Sequence, residues 1–370
     1  MMIKWGTHML NRQINVFQAC MIFSLVVGLT SHVIDNSMIL NSSGRDAWIA
    51  VLFAAVFFLI WCALLKFIVQ RSDQQPLLYW LKQQTGSVFA WIILVPLLLQ
   101  IYLFGSVTVS YTVMWTVVNY LPETPVFAIS LSLVFLSYWC ARYGLNVIAI
   151  CAGILLPIVI GLGIFVNIAN IQHKDYSMLK PILEHGMMPV YKGMMYSAGS
   201  FAELIMLLCM QHQLKGKVRL WHLLVLATFL VIITLGPVTA AIAEFGPTEA
   251  AKQTTSPYEQ WRLVTIGSSI EHLDFFSIYQ WLAGAFIRMS LMIFLLAEII
   301  QFQSKKAREW FLFIIAVSYL LVPLLPISQE LFFHFLYHMY FPISLFLIIL
   351  LSFIMGIIAL FTKTSKEDTV

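Results

Sequence analysis

Three groups of polar residues lie inside stretches that are otherwise strongly apolar. The first is Gly28–Ser37, with the sequence GLTSHVIDNS, which follows the apolar run 16–27. The second is Ser197–Ser200, with Glu203 just beyond it, and the third is the single residue Arg288. Small polar residues can present backbone N–H and C=O groups to a ligand, and ionisable side chains in lipid are costly unless they bind or pair. These positions predict ligand binding or charge compensation.

The composition is typical of a polytopic membrane protein. Of the 370 residues, 61% are hydrophobic and only 10% are charged, whereas soluble proteins carry about 25% charged residues. The net charge of +4 does not indicate a nucleic-acid surface. The five cysteines lack metal-ligand or redox spacing, and the sequence shows no nucleophile–base set and no phosphate-binding glycine loop. We therefore expect no enzyme activity, no metal site and no cofactor.

Apolar stretches of about 20 residues are long enough to cross a bilayer as helices. Ten such spans are predicted, at 15–40, 47–66, 88–120, 125–141, 145–170, 190–213, 220–244, 272–302, 310–327 and 336–361. If the N-terminus is cytoplasmic, the cytoplasmic segments hold most of the 21 Lys and Arg residues, as the positive-inside rule requires. The sequence thus predicts an all-α protein with one transmembrane domain over residues 1–370 and both termini in the cytoplasm.

The polar interruptions of the first and sixth spans occupy equivalent positions in two sets of five. Because five is odd, the second set enters the membrane from the opposite side, as in inverted repeats. The repeats would cover about residues 15–170 and 190–361. Broken helices of this kind meet at the midplane and form a binding site. The alternative is that the small residues only let the helices pack closely.

The two interruptions contain most of the candidate ligand-binding residues, which offer backbone or hydroxyl groups to a small zwitterion. These candidates are Gly28, Thr30, Ser31, Ser197, Gly199 and Ser200. Phe201 can cap an apolar part of the ligand, with helix packing as its alternative role. His32 is either a proton-sensing group or a satisfied polar residue, and Asp35 and Asn36 are interpreted as the outer end of the first helix.

Glu203 and Arg288 are predicted to form an ion pair with a structural or coupling role. A guanidinium in mid-membrane needs a partner, and Glu203 is the deep carboxylate in another span, since Glu298 lies nearer the cytoplasmic end. The alternative is that Arg288 binds the carboxylate of the ligand.

Several motifs, in order along the chain, resemble the B subunit of bacterial spore germinant receptors. They are GLTSHVI, GRDAWIAVL, PILEHGMMPVYKG, FAE, LGPVTAAIAEFGP and QWRLVTIGSSIEHLD. The resemblance runs from about residue 14 to residue 361. That family is similar to permeases of the amino acid–polyamine–organocation superfamily, which implies a leucine-transporter-type fold.

The resemblance implies a nutrient sensor in the spore inner membrane that binds a small germinant, such as an amino acid. It also implies two partners, a larger membrane A subunit and a C-subunit lipoprotein. Ligand-sensitive positions are implied on the third helix, where Tyr102 and Ser106 share one face; interhelical hydrogen bonding is the alternative there. An ion-coupled amino-acid transporter and a structural subunit with a vestigial pocket remain open, because fold alone does not decide function.

Overall fold

The computed structural model of the chain describes residues 14–265 and 272–362, and most of them are helical. Nine continuous helical runs in this described part are long and apolar enough to cross a membrane. The expectation of an all-α polytopic membrane protein is therefore confirmed. The first run, Val16–Arg71, contains the first two predicted spans, which are separated by a 3₁₀ turn at Gly44–Asp46.

The α-helices are numbered here in chain order. They are α1 Val16–Leu29, α2 Asn36–Ser43, α3 Ala47–Arg71, α4 Leu77–Thr85, α5 Ser87–Asn119, α6 Val126–Tyr143, α7 Leu145–Ala169, α8 Met187–Phe201, α9 Met206–Met210, α10 Leu220–Phe245, α11 Pro247–Ala250, α12 Ser256–Arg262, α13 Phe275–Ile300, α14 Lys305–Leu321, α15 Gln329–Phe335 and α16 Phe341–Phe361. Two strands of two residues each, β1 Ile14–Asn15 and β2 Leu214–Lys215, pair in parallel.

Most helix ends lie within a few residues of the predicted span ends, because apolar length sets both. Three ends differ by five residues or more. The second span ends at Arg71 instead of 66, the ninth begins at Lys305 instead of 310, and the tenth begins at Gln329 instead of 336. The early starts of α14 and α15 add polar residues, which helices extending beyond the apolar layer can accommodate.

Local sequence signals set several helix ends. The side chain of Asn15 accepts a hydrogen bond from the Gln18 N–H at 2.7 Å, and the Gln18 side chain accepts from the Asn15 N–H at 2.9 Å. This reciprocal pair is a capping box that begins α1. Gly144, at a φ of 98°, makes the turn between α6 and α7 in a conformation that favours glycine.

The connection between the second and third spans contains a helix that hydrophobic length did not predict. In α4, the residues Leu77, Leu78, Trp80 and Leu81 are buried. Their spacing places them on one face, which packs against α5. The helix therefore has one apolar face and is too short to cross a membrane.

The first and sixth spans run antiparallel. The start of α1 is joined to the chain beyond α9 by the pairing of β1 with β2. At the other end, the Ser43 hydroxyl donates to the Pro189 carbonyl oxygen at 2.7 Å, so the end of α2 lies beside the start of α8. The sixth span and α13 are the most enclosed of the nine runs in the described residues. Buried polar groups on these helices must therefore find partners within the bundle.

Candidate ligand-binding and charge-compensating site

The first and sixth spans each contain an irregular segment. In the first span, Thr30–Ile34 forms a π-helical turn, which lies inside the predicted interruption. In the sixth span, the irregular segment is a 3₁₀ turn at Ala202–Ile205. The predicted position of this second interruption, Ser197–Ser200, was wrong, because those residues lie within regular α8. Small polar residues permit an interruption without requiring one, and π and 3₁₀ turns inside longer helices often mark functional sites.

The two irregular segments contact each other. The hydroxyl of Thr30, the first residue of the π-helical turn, lies 3.2 Å from each carboxylate oxygen of Glu203 and donates to that carboxylate. Glu203 is the second residue of the 3₁₀ turn. Both side chains are buried, at 1% exposure each, so this hydrogen bond lies inside the bundle.

Glu203 and Arg288 are joined in a buried ion pair. The Arg288 Nη2 donates to Glu203 Oε1 at 2.8 Å, and Nη1 donates to Oε2. Two of the other guanidinium N–H groups bond to Thr108 Oγ1 at 2.7 Å and to the Val26 carbonyl oxygen at 3.0 Å. The pair therefore links α13 to α1, to α5 and to the sixth span. Such fork-like, charge-assisted pairing is the geometry in which a buried guanidinium is best compensated.

Asp35 is a second buried carboxylate, and its surroundings differ. The sequence interpretation of Asp35 and Asn36 as a helix end was wrong, because α2 continues the span to Ser43. Asp35 is 0% exposed and accepts a hydrogen bond from the Ser200 hydroxyl. Its Oδ1 has no hydrogen-bond partner among the described residues. Asn36 is held by the Ser256 hydroxyl, which donates to its Oδ1 at 2.6 Å.

Two further buried hydroxyls lie on the same two helical segments as Asp35 and Ser200. Ser197 precedes Ser200 by three residues on α8, so their side chains share a face. Ser31 precedes Asp35 by one turn of the π-helical segment. Both serines are 0% exposed, and neither hydroxyl has a hydrogen-bond partner in the described part of the chain. Asp35, Ser200, Ser31 and Ser197 are called the Asp35 cluster below.

His32 has a hydrogen-bond partner. Its Nδ1 lies 3.0 Å from the carbonyl oxygen of Ile233 on α10. A carbonyl oxygen can only accept, so the ring nitrogen is the donor. This geometry favours the interpretation of His32 as a satisfied polar residue, and a role in proton sensing stays a prediction.

The candidates on the third span make other contacts. The Tyr102 ring stacks on Tyr319 of α14, with ring centroids 4.9 Å apart. The Ser106 hydroxyl donates to the Tyr102 carbonyl oxygen at 3.1 Å, within its own helix. In this structure the Tyr102 side chain faces the ninth span, and the ligand-binding roles of both residues stay predictions.

Three other candidates also face neighbouring helices. A Cβ atom on Gly199 would lie 3.0 Å from a ring carbon of Phe341 on α16. Phe201 stacks on Phe58 of α3, with centroids 4.7 Å apart. A Cβ atom on Gly28 would lie 3.1 Å from Ile233. These contacts are those of close helix packing, and a part in ligand binding stays a prediction for all three.

The sequence did not predict two cavities. A polar cavity of about 550 Å³ lies between α2, the chain around α11 and α15, and is lined by Ser37, Asn41, Ala251, Lys252, Gln253, Thr254, Gln329, Glu330, Phe333 and Tyr337. An apolar cleft of about 530 Å³ lies among α5, α6, α7 and α13. None of the nine predicted ligand-binding residues lines either cavity. The polar cavity begins at Ser37, two residues beyond Asp35.

Comparison with known proteins assigns the chain to a family. Residues 13–331 match the family described as spore germination protein. The chain belongs to this family. Spore germination protein XB of Bacillus anthracis is 40% identical over 354 residues, which cover 96% of this chain and 99% of that protein. The resemblance drawn from the sequence motifs is therefore confirmed.

Membership in the spore germination family agrees with the fold. The apolar helical runs and the permease type of the family indicate an integral membrane protein. Family and relative together support a role of the germinant-receptor type. Part of the motif QWRLVTIGSSIEHLD, residues 266–271, lies outside the described residues.

Proposed function

We propose that this chain is the nutrient-sensing, ligand-binding subunit of a spore germinant receptor. It binds a small germinant, an amino acid, at the midplane between the first and sixth helices and signals to partner subunits to start germination. The observation that carries this proposal is the contact of the two irregular segments through Thr30 and Glu203. A ligand that changes this contact changes the relation of two spans, which is what a sensor requires.

The proposed fold is the leucine-transporter type, with ten transmembrane helices in a 5+5 inverted repeat within a single domain. When the run Val16–Arg71 is divided at its 3₁₀ turn, the nine helical runs of the described residues give ten spans. The antiparallel packing of the first and sixth spans supports the inversion, since equivalent helices of inverted repeats run in opposite directions.

The proposed partners are the A subunit in the membrane and the C-subunit lipoprotein, and the proposed location is the spore inner membrane. The name of the relative, spore germination protein XB, supports a place in germination. The bias of Lys and Arg toward one set of connections supports cytoplasmic termini. With this orientation, the polar cavity opens on the outer side.

An ion-coupled amino-acid transporter is the second candidate function. It is favoured by the buried ionisable groups Glu203, Arg288 and Asp35, because intramembrane charges often mark ion pathways. A third candidate, a structural subunit with a vestigial pocket, predicts that changes at the site leave nutrient preference unaltered.

The test uses spores that lack this chain and spores complemented with wild type, Thr30→Val or Thr239→Val. Germination is followed as loss of optical density with each amino acid in turn. Thr30→Val removes the hydroxyl that contacts Glu203, and we expect a lost or shifted dose–response curve at normal subunit levels. Thr239→Val is the matched control, because its hydroxyl bonds to the Leu235 carbonyl oxygen in its own helix.

Two results would contradict the proposed function. One is a set of dose–response curves that do not change when the whole chain is deleted. The other is uptake of labelled amino acid into proteoliposomes together with unaltered germination in Thr30→Val spores, which would favour the transporter. Altered nutrient preference without flux would support the sensor.

A further inference from the structure

Asp35 is a buried carboxylate without a cationic partner among the described residues. It receives one hydrogen bond, from Ser200, and its Oδ1 receives none from a described residue. A buried, ionised carboxylate is costly unless it is paired and fully hydrogen-bonded. Glu203 shows how the same core compensates a carboxylate, with two N–H donors of Arg288 and the Thr30 hydroxyl.

The surroundings of Asp35 add acceptor atoms. The hydroxyls of Ser31 and Ser197 are fully buried and without a partner among the described residues. Together with Asp35 Oδ1, they supply three oxygen atoms able to accept. An ammonium group carries three N–H donors and no acceptor. The number and type of these oxygens therefore match a small cationic group.

Arg288 and His32 do not compensate Asp35. Arg288 directs its guanidinium donors to Glu203, Thr108 and Val26. The His32 ring is bonded to the Ile233 carbonyl oxygen. Both groups are thus already engaged, so a positive charge that pairs with an ionised Asp35 would come from a bound species.

The polar cavity also lies beside this part of the chain. The polar cavity is lined by Ser37 and Asn41 of α2, the helix that begins directly after Asp35. Its volume of about 550 Å³ is in the range of small-molecule sites. Along the chain, Asn36 lies between Asp35 and the cavity residue Ser37. Its side chain is held by the hydrogen bond from the Ser256 hydroxyl.

We propose that the Asp35 cluster binds a small monovalent cationic group, which is the ammonium group of the germinant or a free alkali cation, and which enters from the polar cavity. This inference rests on the proposed function only in naming the germinant as one source. The cluster itself is a cation site in either case. The Glu203–Arg288 pair has no part in it, because its charges already compensate each other.

The test is thermal unfolding of the purified full chain in nanodiscs at constant ionic strength. The probes are sodium chloride, potassium chloride and methylammonium chloride, each titrated against N-methylglucamine chloride. A ligand that binds only the folded state raises the midpoint of unfolding. We expect at least one probe to do so. An effect of methylammonium points to the ammonium group of the germinant, and an effect of sodium or potassium points to a free alkali cation.

Three variants decide whether a shift belongs to Asp35. Asp35→Asn keeps the shape and removes the charge, and we expect the active probe to need at least a tenfold higher concentration. Asp46→Asn is the matched control, since Asp46 is buried, accepts from the Leu183 N–H at 2.9 Å and remains an acceptor as Asn. Ser197→Ala removes a hydroxyl without a described partner, so it tests the cluster even if Asp35→Asn does not fold. We expect a several-fold weaker response in Ser197→Ala.

The proposal is overturned if none of the probes shifts the wild-type midpoint, or if Asp35→Asn or Ser197→Ala responds as the wild type does. The germination assay distinguishes this failure from failure of the proposed function. Spores without the chain that germinate normally contradict the sensor, whereas an Asp35-dependent cation shift in nanodiscs stands whatever those spores do.

Discussion

Two buried carboxylates have opposite surroundings: Glu203 lies within one irregular segment of the bundle, and Asp35 directly follows the other. Glu203 accepts hydrogen bonds from both terminal nitrogens of Arg288 and from Thr30. Asp35 accepts one side-chain hydrogen bond from a described residue, the one from Ser200. A carboxylate whose partners belong to the protein holds helices together. A carboxylate with too few hydrogen-bond partners in the protein is suited to bind a ligand.

The largest expected effect concerns Glu203, the carboxylate that is paired with Arg288. Arg288→Met leaves the Glu203 charge buried and unpaired, which should lower the free energy of unfolding by about 3–5 kcal/mol. The subunit level in membranes and the thermal midpoint measure the loss. The double variant Arg288→Met with Glu203→Gln should recover part of it.

A different outcome would change the role assigned to Arg288. If Arg288→Met is abundant but unresponsive to nutrients, and Glu203→Gln does not restore the response, Arg288 binds the carboxylate of the ligand. Normal abundance with normal germination would contradict both the structural and the ligand-binding role.

The second prediction compares the hydroxyl donors of the two carboxylates. Ser200→Ala removes the one described side-chain donor of Asp35, and the expected cost is about 3 kcal/mol, the upper end for a hydrogen bond to a charged group. Thr30→Val leaves Glu203 with its two guanidinium donors, so the expected cost is about 1.5 kcal/mol. Denaturant unfolding of the two purified variants measures the difference. Equal costs would mean that Asp35 does not depend on Ser200.

The third prediction concerns removal of the incompletely compensated charge. Asp35→Asn, without added probe cations, should raise the free energy of unfolding by about 1 kcal/mol, because an unpaired buried charge is unfavourable. The amide oxygen still accepts from Ser200. The midpoint of thermal unfolding in N-methylglucamine chloride is the measurement. A loss as large as that of Arg288→Met would show that an unseen partner compensates Asp35.

The smallest effect is expected at an exposed carboxylate, Asp175. Hydrogen bonds from the Ser177 side chain and backbone N–H hold the pKa of this carboxyl below its usual value of 3.8. A lowered carboxyl pKa contributes stability above the usual value, and that contribution is lost as the pH falls through the lowered pKa. Asp175→Asn should therefore lower the thermal midpoint slightly at pH 7 and not at all in strong acid. If the midpoint is unchanged at both pH values, Asp175 does not contribute to the stability of the fold.

Apolar length was enough to predict where the spans lie. The third span, predicted at 88–120, is α5 at Ser87–Asn119, because the cost of burying polar groups in lipid determines where a membrane helix ends. The helix α4 could not be predicted in this way, since its apolar residues are too few for a span. Its position depends on packing against α5.

The residues of the site could be predicted from the sequence only where a buried charge needed a partner of opposite sign. The cost of a buried charge was enough to propose Glu203 as the partner of Arg288, although 85 residues separate them. The position of the 3₁₀ turn was missed, because Ser197–Ser200 is compatible with a helix and tertiary contacts decide where the turn forms. Asp35 was missed as a buried group because a polar run in a membrane span resembles a helix end, and α2 supplies no strong apolar signal.

The pairing of β1 with β2 constrains how the first and sixth spans move. At that end, Ile14 lies opposite Leu214 and Asn15 lies opposite Lys215 in the parallel pair. At the other end, one hydrogen bond runs from Ser43 to Pro189. The first and sixth spans are therefore joined at both ends, and α2 packs directly against α8. A rearrangement at the irregular segments, which lie between these two joints, must therefore strain one of them.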